Sequence, residues 1–115
     1  MKSLVLLISI VFSFTIYGHG DHPRRYVTCK DMNVCTQAEI EAVAPQVLEL
    51  MVNKGVVDKS WSSLKVSKVE KKQFKKSAEW VLTYNNPTVK DVKKQNIFVF
   101  ISMDGYLNGS NYTGE

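Results

Sequence analysis

The sequence is poor in the residue types on which most enzymes and metal proteins depend. Among 115 residues there are two cysteines, two histidines and three prolines. Two cysteines are too few for a disulfide-dense scaffold or a four-cysteine zinc site. Both histidines, His19 and His22, fall near the start, so the rest of the chain supplies no imidazole. A Ser-His-Asp set would need that start to fold back onto the body. There is no P-loop and no Gly-rich dinucleotide fingerprint. The carboxylates show no pair spacing suited to acid–base work. These gaps exclude the common catalytic constellations, and the chain is expected not to be an enzyme and to hold no cofactor.

What is present is enough for one folded domain. Hydrophobic residues make up 44% and charged residues 23%, too apolar a mixture for a disordered chain. Fifteen Lys and Arg stand against eleven Asp and Glu, a net charge of +4. Residues 1–18, MKSLVLLISIVFSFTIYG, carry Lys2 and then an apolar run through Ile16. The run is short of the roughly 20 apolar residues of a membrane span and is followed by polar residues. It has the layout of a secretory signal peptide, cut after Gly18 or after Gly20. Export to the periplasm or beyond the cell is the expectation, with no integral membrane segment after processing. That location also argues against a nucleic-acid partner.

Residues 19–35 show almost no periodicity and read as an irregular arm. Thr36-Gln37-Ala38-Glu39 then has the form of a capping box. Ile40, Val43, Val47, Leu50 and Met51 follow at spacings of three and four, one apolar face of a helix over 37–54. Gly55 supplies its left-handed stop. Pro45 predicts either a kink or two helical segments. Trp61 is expected to open the β part. A first strand over 64–74 slips phase at Val69, which suggests a bulge. Alternation marks a second strand over 78–84, and 97–103 is nearly all apolar, as in a central strand. Asp104-Gly105 is a hairpin signal, and residues 106–112 would return as a short fourth strand. The connector 85–96, with Pro87 and three lysines, reads as a solvated loop. The expected architecture is α+β: one N-terminal helix packed on an antiparallel meander of three to four strands.

Four groups of residues bear on function. His19 and His22, in His19-Gly20-Asp21-His22, would place an amine and two imidazoles at a start created by cleavage after Gly18, a set that favours Cu(II). Cys29 and Cys35 frame a short loop, either a disulfide in an oxidising compartment or, with Met32, a soft site for Cu(I). Nine lysines stand against Glu70, Glu79 and Asp91 between residues 65 and 94. They would attract an acidic partner, an anionic lipid surface or a polyanion, or else guard strand edges against aggregation. Phe98 and Phe100 fall on the face opposite Ile97, Val99 and Ile101. With Trp61 and Tyr106 they are the candidate binding face for a protein or peptide, which a strand edge would also accept by β-augmentation.

The order of helix, strands, Asp104-Gly105 turn and closing Thr113-Gly114 resembles a PepSY-type domain over residues 36–115. The chain is also similar to small exported bacterial proteins of unknown function. Those share a leader followed by His-Gly-Asp-His and a Gly-x-x-Asp-x-Ser-Trp segment, here Gly55-Val56-Val57-Asp58-Lys59-Ser60-Trp61. The resemblance implies a module that regulates or inhibits by binding rather than by catalysis. The sequence thus points first to an exported non-catalytic binding module with a protein or peptide partner. It points second to a periplasmic copper-binding protein using His19 and His22.

Overall fold

A computed structural model describes residues 25–115. The leader, His19 and His22 lie outside the described residues. One helix, α1 (Gln37–Asn53), is followed by strands β1 (Lys68–Gln73), β2 (Ala78–Asn85), β3 (Asn96–Ser102) and β4 (Leu107–Asn111). The strands form one antiparallel sheet in sequence order. The helix packs on one face of it, so the fold is the expected α+β arrangement with an open sheet.

The start of α1 follows from its cap. The Thr36 hydroxyl accepts from the Glu39 amide at 3.2 Å, and the Glu39 carboxylate accepts from the Thr36 amide at 2.9 Å. Two N–H groups that the first turn cannot bond internally are thereby satisfied. Thr36→Ala is expected to cost about 1 kcal/mol, read as a lower denaturation midpoint at unchanged slope. Ile40, Ala44, Val47, Leu48 and Met51 form the buried stripe. Pro45 neither splits nor ends the helix. It sits on the exposed side, where water can serve the Glu41 carbonyl that loses its helical donor. Gly55, at φ +76°, closes the end by donating to the Val52 carbonyl.

The core lies between α1 and one face of the sheet. Trp80, Leu82 and Tyr84 from β2 and Ile97, Val99 and Ile101 from β3 meet the helix stripe there. The Tyr84 hydroxyl, fully buried, donates to the Ala44 carbonyl at 2.6 Å. Burial, with a smaller contribution from the Tyr26 phenol, raises the Tyr84 pKa far above its usual range. The group is a neutral donor at every physiological pH, and it ties the helix to the middle of the sheet.

Several local expectations need correction. Trp61 does not begin a strand. It closes a 3₁₀ turn (Lys59–Trp61), and β1 starts only at Lys68. The phase slip at Val69 is therefore the change from an irregular segment to a strand, and the β1–β2 register is regular. A register shift occurs instead between Phe100 and Ile101, opposite β4. The Asp104-Gly105 hairpin forms, but as a three-residue loop. The Ser102 amide donates to the Tyr106 carbonyl, and Gly105 adopts φ +94°. The connector 85–96 is pinned rather than merely solvated, because Asn86 is buried within it.

The described part of the arm is irregular yet fixed. The Tyr26 and Val27 amides both donate to the Gly105 carbonyl, at 2.8 and 3.0 Å, and the Cys35 amide donates to the Met103 carbonyl at 2.7 Å. Cys29 and Cys35 form a disulfide, and both are buried in the main core with Val27.

Candidate binding face

The register sorts the sheet into two faces. Val69, Leu82, Val99 and Ser110 form one cross-strand row on the helix side. The second face carries the row Lys68, Thr83, Phe98 and Asn111, and beside it Glu70, Val81, Phe100 and Gly109. Among the described residues no helix or further strand covers this second face. Its apolar residues shelter one another instead. The Phe74 ring meets the Phe100 ring edge-on, with centroids 5.8 Å apart, and Val81 is fully buried between its neighbours. The last residues turn back over Phe98, because the Asn111 side-chain oxygen accepts from the Thr113 and Gly114 amides. Gly114 lies so close to the Phe98 ring that an added Cβ would sit 3.4 Å from its carbons.

A groove of about 300 Å³ opens beside this cluster. Phe74 and Phe100 make its apolar wall, and Glu79, Asn108 and Glu115 its polar one. The Asn108 amide donates to the Glu79 carboxylate at 2.7 Å. Gly109 carries no side chain, so the groove runs out to the β4 edge. The two edges of the sheet differ sharply. On β1, Lys68, Lys71 and Lys72 are all exposed, a pattern that discourages edge pairing. Strand β4, Leu-Asn-Gly-Ser-Asn, has no charge and no proline. Lys68 and Lys72 reach Glu70 at 3.8 and 4.0 Å, contacts too exposed to add much stability.

The candidate residues are only partly gathered here. Phe98 and Phe100 share the open face. Trp61 does not join them, because it is 3% exposed and packs in the helix-side core. Tyr106 lies just before β4, where it pairs with Arg25 of the arm, and the Arg25 guanidinium sits 5.1 Å from its ring centroid. Cys29 and Cys35, bonded to each other, have no thiolate to offer copper. Among the described residues no group of three or more His, Cys, Asp and Glu gathers to hold a metal ion. No helix among them is long and apolar enough to cross a membrane.

Across residues 1–115 the sequence matches a family described as a family of unknown function, DUF6488. The chain belongs to this family. No curated protein and no solved structure matches it. In this DUF6488 chain the segment 55–61 has a structural task. The Asp58 carboxylate accepts from the Ser60 amide and hydroxyl. The Ser60 hydroxyl accepts from the Asn86 side-chain amide at 3.0 Å, and the Asn86 oxygen accepts from the Thr88 amide and hydroxyl. The helix exit is thereby tied to the β2–β3 connector. Sequence reasoning singles out neither Asn86 nor the pairing of Glu79 with Asn108. Asn86-Pro87-Thr88 is a turn signature that marks the first of these.

The same network sets a pH dependence. The Ser60 hydroxyl and then its amide hold Asp58 below the ordinary carboxylate range. The Lys30 and Thr36 amides do the same for Glu39. A lowered folded pKa gives stability that is fully present above the unfolded values of 4.5 and 3.8 and is lost as pH falls through the folded ones. Thermal midpoints should therefore fall on acidification below those values, and less steeply in a Glu39→Gln, Asp58→Asn double variant. A midpoint series by circular dichroism checks this.

Proposed function

We propose that the chain is an exported, non-catalytic binding module that takes a protein or peptide partner on the open sheet face and along β4. One observation carries the reading. The face opposite α1 holds Phe74, Phe98 and Phe100 beside a groove that runs out onto an uncharged edge strand, while the other edge is guarded by three lysines. Main-chain pairing at such an edge gives affinity, and alternate side chains give specificity. The leader-like residues 1–18 and the buried Cys29–Cys35 disulfide support export to an oxidising compartment. The order of helix, meander and Asp104-Gly105 turn supports a PepSY-like reading, and with it a regulatory or inhibitory role. A photo-crosslinking residue at position 108, in protein processed by its native host, tests the proposal. The expected result is an adduct with a polypeptide that the same residue at position 46, on the solvent side of α1, does not form. No adduct at 108, or the same adducts at both positions, contradicts it.

A second reading keeps copper at the processed N-terminus. Its supporting observation is that both histidines of the chain fall within the four residues after Gly18. Native mass spectrometry of host-processed protein with one equivalent of Cu(II) tests it. A start at His19 with one tightly held copper supports this reading, and a different start or no bound copper removes it.

A further inference from the structure

We propose that the groove beside Phe100 receives one lysine or arginine side chain from an extended peptide paired to β4, so that the partner segment is basic. The inference rests on the reading of the open face as a binding surface and names the chemistry of what binds there. In a chain of net charge +4, this groove presents two carboxylates, Glu79 and Glu115. The Asn108 amide holds one Glu79 oxygen, which fixes the carboxylate and leaves its other oxygen able to accept. Among the described residues no Lys or Arg lies within 4.0 Å of Glu79. Its cross-strand neighbour Lys72 reaches Glu70 instead.

The rest of the groove suits a long cationic side chain. The edge-to-face rings of Phe74 and Phe100 would take its methylene stem, and an aromatic face near the head adds a cation–π attraction. Gly109 has nothing within 4 Å of where its Cβ would be, and among the described residues the arm pairs at Tyr106, before β4 begins. A strand added to β4 sends alternate side chains to the open face, and one of them falls at the groove. An acidic side chain there would meet two carboxylates, and a short apolar one would leave Glu79 unanswered. The site therefore discriminates by repulsion as well as by attraction.

A random heptapeptide display library selected against the oxidised full chain tests the inference, followed by titration calorimetry of the enriched peptides. Enriched sequences should share one fixed Lys or Arg within an alternating pattern of β-branched residues. Binding of those peptides should weaken roughly five- to tenfold in Glu79→Gln at unchanged thermal midpoint. Peptides that bind without a fixed basic position, or with no response to Glu79→Gln, overturn the inference and leave the binding face standing. Failure to enrich any peptide overturns both. A second copy of the chain could also offer a lysine-rich strand, its own β1. Self-association abolished by Glu79→Gln, seen by sedimentation, would assign the groove to that contact and overturn a separate basic partner.

Discussion

Gly105→Ala is expected to destabilise the protein by about 3–5 kcal/mol, a fall in thermal midpoint of roughly 15–30 °C for a domain of this size. Two effects combine at this position. Its φ of +94° is unfavourable for any residue with a Cβ. An added Cβ would also collide with the Val27 carbonyl and lie 3.5 Å from the Cys35 sulfur. The Gly105 carbonyl holds the Tyr26 and Val27 amides, so a shift of the turn releases the arm as well. Gly55→Ala separates the two effects. Gly55 has a φ of +76° and nothing within 4 Å of its Cβ position. Conformational strain alone should then cost about 1–2 kcal/mol. Denaturant melts of both variants test the comparison, and equal losses would show that the approach to Val27 contributes nothing.

Removing the Cys29–Cys35 disulfide should produce the second large loss, about 2–4 kcal/mol or roughly 10–25 °C. The bond closes a short loop, and chain entropy alone gives about 2 kcal/mol. Both sulfurs are buried among core residues, 4% and 1% exposed, so the cross-link also packs the arm against the body. Cys29→Ala, Cys35→Ala is the suitable variant, because it introduces no polar group into that pocket. Its thermal midpoint should match that of wild type under a reducing agent within a few degrees. A wild-type midpoint unmoved by reduction would contradict the account of the arm as part of the core.

The helix and the sheet were legible because their signals are local. The Thr36–Glu39 cap, the stripe from Ile40 to Met51 and the alternation of Trp80, Leu82 and Tyr84 each depend on residues a few positions apart. The face bearing Phe98 and Phe100 followed from the same alternation. What escaped depends on residues distant in sequence. Trp61 reads as an aromatic at the head of a strand, but Asp58 turns the chain into a 3₁₀ turn that drives the indole inward. The pairing of Glu79 with Asn108 spans 29 residues and needs the register shift opposite Phe100 to bring Asn108 to the open face. The burial of Asn86 depends on Ser60, and Gly105 is critical because residues 26 and 27 return to it. Neither tie leaves a periodic signal. The groove was hidden for the same reason, since its walls come from three separate segments of chain.

The central claim is that partners meet this chain on the open face and along β4. Amide chemical-shift mapping of isotope-labelled, oxidised protein tests it most directly, with an enriched peptide from the display selection as titrant. The account predicts shifts confined to residues 74–81, 98–100 and 107–111, with the helix unmoved. Shifts centred on the solvent side of α1, or on the hollow formed by Val52, Val56, Val89 and Tyr112 at the helix exit, would contradict it.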